Sequence, residues 1–311
     1  MVFDAGLSVL VLGVAVWTIV ARDTFAAVVG FIAYGLLLAL VWVRLAAPDV
    51  ALTEAAIGSG LTGGLLLGAS ARVRRTKSPA VSDGPAAALR LVAVGLCILV
   101  SAGLAALVVL LPEPAPTLAA PVAANLAATG LGNPVTAVLM AYRAIDTLLE
   151  VVVLLLALLG VWSLAPDRLW GGLPGLHYRA DPDGILTFDA QMLVPIGILV
   201  GIHIFWVGSV APGGEFQGAT ILAAMWILAT LSGLVDAPAV SRRWLRLLLI
   251  AGPAVFLSIG LAGFAMAGAF LAYPIKHAKL LILIIEVPVT LSIAALLALL
   301  VVGPPERGLH R

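Results

Sequence analysis

Nine stretches of nearly unbroken apolar residues dominate this chain: 3–20, 24–45, 49–70, 89–111, 134–163, 188–210, 216–235, 244–271 and 278–302. Each is about as long as the roughly 20 residues an α-helix needs to cross the hydrocarbon core of a bilayer. Backbone amides in hydrocarbon must be bonded within their own segment, so such runs fold as helices. The surplus is too large for a water-soluble core. Of 311 residues 62% are hydrophobic and 11% charged, with a mean hydropathy of +1.17; a soluble domain carries about 25% charged residues. The expected class is all-α: a polytopic membrane helix bundle of about nine transmembrane helices. The run 134–163 exceeds one span, so it is either tilted or begins as an interfacial piece. Asp4 precedes an apolar stretch with no basic flank, which reads as a first membrane helix and not as a cleaved signal peptide.

The connectors set the expected orientation. Arg and Lys accumulate on the cytoplasmic side of short loops. Strict alternation over nine spans with the N-terminus outside and the C-terminus cytoplasmic places thirteen Arg and Lys inside against three outside, with Arg143 left within a helix. The loop 71–88 carries Arg72, Arg74, Arg75 and Lys77, whereas 112–133 has neither Arg nor Lys. Two polar connectors, 71–88 and 164–187, divide the chain into units of three, two and four spans: 1–75, 85–166 and 185–305.

Several function classes fall away. A net charge of +1 gives no electrostatic footprint for nucleic acid. One cysteine, Cys97, cannot build a disulfide framework, an iron–sulfur site or a thiolate zinc site. No G-x-x-x-x-G-K-[ST] phosphate loop is present. The glycines of the third span (Gly58, Gly60, Gly63, Gly64, Gly68) suit close helix packing. Neither a cofactor nor a bound metal is expected.

The ionisable residues inside the spans are therefore the candidates, because each costs at least about 2.5 kcal/mol at bilayer depth. Asp49 follows Pro48 at a helix start, where it reads as a charge suited to the helix dipole. Glu54 lies too deep for that role and reads as a buried proton or ion site. Arg143, Asp146 and Glu150 fall three and four residues apart, on one helical face. Arg143 can neutralise Asp146; Glu150, a turn deeper, is less compensated and suited to proton exchange. Lys276 and Lys279 open the last span, where lysines also snorkel to the interface, and Glu286 sits in its middle. His203 is either a packing residue or a relay. Pro212-Gly213-Gly214-Glu215-Phe216-Gln217-Gly218 leaves almost no room for a soluble turn, so it forms either a re-entrant, pore-lining turn or a tight hairpin.

Three of these motifs carry a family resemblance. Pro48-Asp49-Val50-Ala51-Leu52-Thr53-Glu54-Ala55-Ala56-Ile57-Gly58 resembles the motif of the MbhD subunit of membrane-bound hydrogenases and a segment of the MrpA subunit of Mrp-type sodium/proton antiporters. Tyr142-Arg143-Ala144-Ile145-Asp146-Thr147-Leu148-Leu149-Glu150 resembles the F-R-G-F-D-T-x-x-E stretch of MbhE, with Ala144 and Ile145 in place of Gly and Phe. Pro212, Gly213, Gly214, Phe216 and Gln217 resemble the P-G-G-G-F loop of MnhB/MrpB subunits; Glu215 replaces its third glycine, and Ser209 stands where that loop has a histidine. The resemblance implies a fused MbhD–MbhE–MnhB/MrpB-type subunit of the cell (inner) membrane, related to the proton-pumping arm of respiratory complex I. It implies a non-catalytic part of a multi-subunit Na+/H+ antiporter, with Glu54, Asp146, Glu150, Glu286, Lys279 and His203 on an ion or proton path. The implied partners are other subunits, including large antiporter-like ones, with the bilayer, Na+ and H+. The alternative is a coupling subunit of a hydrogenase or complex I-like oxidoreductase; a third reading makes the charges purely architectural.

Overall fold

The computed structural model describes residues 2–76, 87–112, 114 and 116–308, so the basic connector 71–88 lies outside the described residues over 77–86. The apolar runs fold as helices in chain order: α1 (Val2–Val20), α2 (Thr24–Arg44), α3 (Pro48–Thr53), a π-helical segment (Glu54–Leu61), α4 (Thr62–Thr76), α5 (Ala87–Leu110), α6 (Ala119–Thr129), α7 (Pro134–Ala137), a second π segment (Val138–Tyr142), α8 (Ala144–Ser163), α9 (Ile185–Val207), α10 (Glu215–Leu231), α11 (Arg243–Ala267) and α12 (Ala278–Val302). A two-stranded antiparallel ladder joins β1 (Leu173–Pro174) to β2 (Pro305–Arg307). Local chemistry sets many boundaries. Asp23 caps α2 through the Ala26 amide, Asn133 caps α7 through Val135, and Gly130 at φ +70° ends α6.

Among the described residues, eight helices are long and apolar enough to cross a membrane. Their contacts define two ends of the bundle. At one, Asp4 meets Arg44, Gly132 bonds Ser209, and Gly130 packs on Lys279. At the other, Arg72 pairs with Glu306 at 2.7 Å, Val240 bonds Gly172, and Gly175 bonds Pro304. Helix α10 has 17 residues, about 25 Å of rise, and packs along α9 and α12 between these ends. With it, the described residues make nine passes.

Three spans differ from the sequence expectation. The run 134–163 is not one helix. It is broken at Arg143 (φ −129°, ψ 35°), where the π segment ends and α8 begins, so Arg143 sits at a break and not within a helix. The connector 112–133 holds an extra helix, α6, which meets the Pro134–Tyr142 piece at 85° and returns to the end it started from. The seventh span stops at Leu231 instead of reaching 235.

Helix α12 is the hub. It packs against α8, α10 and α11, and Ile282, Ile285, Val289, Ile293 and Leu296 are fully buried along it. A proline locks part of this contact. Pro253 has no N–H for the Leu249 carbonyl four residues back, and the Ser292 hydroxyl on α12 takes up that carbonyl (2.9 Å), reaching Leu248 as well (2.7 Å). The Gly252 amide donates back to Ser292 at 3.1 Å. By contrast, no residue of α5 is buried.

Candidate functional site

Three segments meet at Asp49: the start of α3, the Asn133 turn before α7 and the Pro212–Gly218 loop. The Asp49 carboxylate Oδ1 accepts the Gly213 backbone amide at 2.9 Å and the Asn133 side-chain amide at 3.3 Å. Asn133 also donates to the Ala211 carbonyl (3.0 Å), and Thr136 donates to Gly208 (2.6 Å). Gln217 reaches back to the Thr53 hydroxyl (3.3 Å) and the Asp49 carbonyl (3.4 Å). Asp49 is buried at 6% exposure. Its place near the start of α3 agrees with a dipole-suited charge, but its principal partners lie across the bundle.

The Pro212–Gly218 segment is a tight hairpin between α9 and α10. Gly213 and Gly214 adopt φ of +142° and +139°, which only glycine enters without strain. A Cβ on Gly213 would collide with the Ile204 carbonyl oxygen. This turn delivers Glu215, the first residue of α10, into the interior.

Glu215 and Glu286 are 4% and 3% exposed. Their carboxyls are close enough to act on one another, and Glu150 of α8 is close enough for its charge to act on Glu215. Two carboxyl groups form a hydrogen bond only if at least one carries a proton. Glu286 also lines a cleft of about 380 Å³ with Lys279, Leu283, Trp206 and Ser209. The cleft leads toward the Asp49 end.

The remaining expected residues are placed differently. Glu54 opens the first π segment, half-buried, with Oε1 against Gly35 of α2 and Gly58. The buried Ser59 hydroxyl lies beside it without a hydrogen-bond partner. Arg143 directly follows the second π segment and pairs with Asp146 at 2.6 Å. Insertions of this kind interrupt the i→i−4 ladder and concentrate at functional sites. The pair faces outward, its side chains 70% and 47% exposed, and Glu150 is exposed too. His203 is exposed on α9 and joins neither group. Among the described residues no cluster of His, Cys, Asp and Glu is arranged to hold a metal ion.

Sequence reasoning passed over the inward roles of Asp49 and Glu215. Glu215 carried one usable signal: a carboxylate in a loop where related loops have glycine. Asn133 carried only an Asn-Pro helix start.

The architecture and its buried acids define a multi-pass helical membrane subunit. Comparison with known proteins makes that specific. The family model for MbhD, a component of MBH, matches residues 9–75, and the model for a domain related to the MnhB subunit of Na+/H+ antiporters matches residues 185–303. Residues 9–75 thus form an MbhD-like segment and residues 185–303 an MnhB-related one, joined in a single chain. An uncharacterised protein of Methanocaldococcus jannaschii is 29% identical over 154 residues, 45% of this chain and 59% of that protein. The fold matches a chain in the structure of the Mrp complex from Dietzia sp. DQ12-45-1b with a TM-score of 0.74 at 24% identity, over 98% of this chain but 35% of that one. A chain of the membrane-bound sulfane sulfur reductase, an archaeal respiratory membrane complex, matches with a TM-score of 0.50 at 22% identity, over 68% of this chain and 97% of that one. This chain therefore spans only about a third of its Mrp counterpart and under two thirds of its archaeal relative.

Proposed function

We propose that this chain is a non-catalytic subunit of a multi-subunit Mrp-type monovalent cation/proton antiporter, contributing buried carboxylates to an ion or proton path and to subunit assembly. The observation that carries the reading is the convergence at Asp49 of the Glu54 helix, the Asn133 turn and the Pro-Gly-Gly hairpin, whose Glu215 interacts with Glu286 and Glu150. Acids that must be satisfied in a membrane interior mark ion pathways more often than scaffolding. In this reading residues 85–166 form an MbhE-like unit, Glu54, Asp146, Glu150, Glu286 and Lys279 lie on the path, and other antiporter subunits are the partners. His203, exposed on α9, belongs to the same path. The Asp49 end lies outside and the Arg307 end, which carries most of the Arg and Lys, in the cytoplasm.

The MbhD match and the likeness to a respiratory complex favour one second reading: a coupling subunit in the membrane arm of an oxidoreductase. Redox subunits co-purifying with the chain would select it.

The test uses the assembled complex in vesicles. Glu54→Gln and Glu150→Gln keep shape and hydrogen bonding but cannot release a proton. Both are expected to assemble normally on native gels and lose cation-dependent proton movement, while Glu→Asp keeps part of it. Full transport by both Gln variants would leave these charges as architecture. Loss of assembly before loss of transport would do the same, since removing one member of a buried pair costs about 3–5 kcal/mol.

A further inference from the structure

Glu215 and Glu286 approach from different helices and meet where nothing else neutralises them. Among the described residues no Lys, Arg or His forms an ion pair with either. Glu215 accepts a backbone amide at the start of α10, where the helix dipole favours an anion. Among the described residues the Glu286 carboxyl has the Glu215 carboxyl as its one polar side-chain partner, is 3% exposed, and nevertheless lines the cleft. Two anions in contact in a low-dielectric interior repel strongly and lose their hydration. One shared proton removes both penalties and makes the hydrogen bond.

The surroundings suit proton exchange. Lys279 lines the same cleft two turns back, at the start of α12, where its ammonium helps the pair bear a negative charge once the proton leaves. From α8, Glu150 acts on Glu215 in the opposite sense. From α3, Asp49 is committed to Gly213 and Asn133. On α9, His203 lies one turn from Trp206 but is exposed and does not line the cleft.

We propose that Glu215 and Glu286 form a proton-binding site that holds one exchangeable proton between them and loads it from the Asp49 end through the cleft beside Lys279. The site rests on the transport reading only for where the proton goes next. Its existence follows from the contact, the burial and the cleft.

Infrared difference spectroscopy of the full chain in lipid nanodiscs tests it. At neutral pH the wild type should show a carboxylic-acid C=O band that shifts in D2O. Glu286→Gln should abolish that band, and Glu215→Gln should move it by replacing the partner with an amide. Glu215→Gly, which removes the partner carboxyl, should also move or abolish it, and serves if Glu286→Gln fails to insert. Ser209→Leu, which narrows the cleft, should slow the deuterium shift. The proposal is overturned if Glu286→Gln removes only ionised-carboxylate bands, or if neither change at Glu215 affects the acid band. An unchanged exchange rate in Ser209→Leu overturns loading through the cleft. The two failures stay separable: a missing band sinks the pair whatever the complex does, whereas a band in a complex without cation-coupled proton movement sinks only the transport reading.

Discussion

Two acidic sites flank α8 and solve the same problem in opposite ways. The inward site sets Glu215 against Glu286, both almost wholly buried, inside a framework the chain supplies itself through Asp49, the hairpin glycines and α12. The outward site sets Arg143 against Asp146 as an ion pair and leaves it, with Glu150, on the surface. Uncompensated charge facing lipid is costly. The inward site lowers that cost by sharing a proton within the chain. The outward site carries one basic and two acidic groups and leaves them exposed. Helix α5 is likewise exposed along its whole length. The difference divides the molecule into a part that stands alone around α12 and a part whose energetics are defined by assembly.

The largest effect is expected at Asp49, because the inward site stands or falls with it. Asp49→Ala leaves the Gly213 amide and the Asn133 side chain without their acceptor, and each buried orphan costs about 1–3 kcal/mol. The purified chain should lose stability by about that amount, read as an earlier midpoint in SDS-induced unfolding. Asp49→Asn keeps a side-chain oxygen for Gly213 and should recover most of it. No loss in Asp49→Ala would show that the inward site does not depend on this junction.

A smaller effect, and one that depends on context, is expected at Arg143. Its ion pair is exposed in the chain alone, so Arg143→Ala should barely change the stability of the isolated chain. In the assembled complex the same change leaves Asp146 and Glu150 facing a covering surface without their cation, and the complex should dissociate at lower detergent concentration on native gels. Equal effects in both settings would dissolve the distinction between a self-contained and an assembly-completed site.

What could be read from the sequence follows the physics of each feature. The nine passes were legible because a membrane demands about 20 apolar residues per span, and nothing about tertiary contact is needed to count them. The Arg143–Asp146 pair was legible because three-residue spacing on a helix is a local property. The break at Arg143 was not: Val138–Tyr142 is as apolar as a regular helix, and its π geometry is set by packing, as when the Thr147 hydroxyl takes the Leu139 carbonyl at 2.7 Å. Helix α6 was hidden because its Ala-rich segment 119–129 is too short for a span and lies among prolines. Asp49 looked like a helix-start charge because local sequence gives no sign of partners 84 and 164 residues away. His203 shows the converse: an ionisable group within a span that the fold turns outward.

The smallest effect is expected at the rim around Arg307, where a third set of charges tests whether exposure alone makes an ion pair weak. Arg307 donates to both carboxylate oxygens of Asp236, at 2.8 and 3.1 Å, while its Nε donates to the Gly175 carbonyl at 3.0 Å. His177 Nδ1 lies 3.2 Å from the same carboxylate. The arrangement fastens the strand Pro305–Arg307 to Leu173–Pro174 beyond the end of α12. The Arg307 guanidinium, hydrogen-bonded to Asp236, holds its carboxyl below the usual carboxylate range; partial burial opposes this, and His177 adds to it. A carboxylate whose pKa is lowered on folding contributes stability that is fully present above its unfolded value of about 3.9 and is lost as the pH falls through the lower folded value. This pair should therefore give no pH dependence from Asp236 between about pH 5 and 8. Protection of the Gly175 amide, which bonds the Pro304 carbonyl at 3.1 Å, should fall only in strong acid. Because the Asp236 side chain is 43% exposed, solvent screening keeps its worth within about 1 kcal/mol. Asp236→Asn should speed hydrogen exchange at Gly175 by no more than about fivefold and leave exchange in α12 unchanged. A loss of protection along α12 would mean that this rim pair supports the interior, and that exposure is a poor guide to which charges the fold depends on.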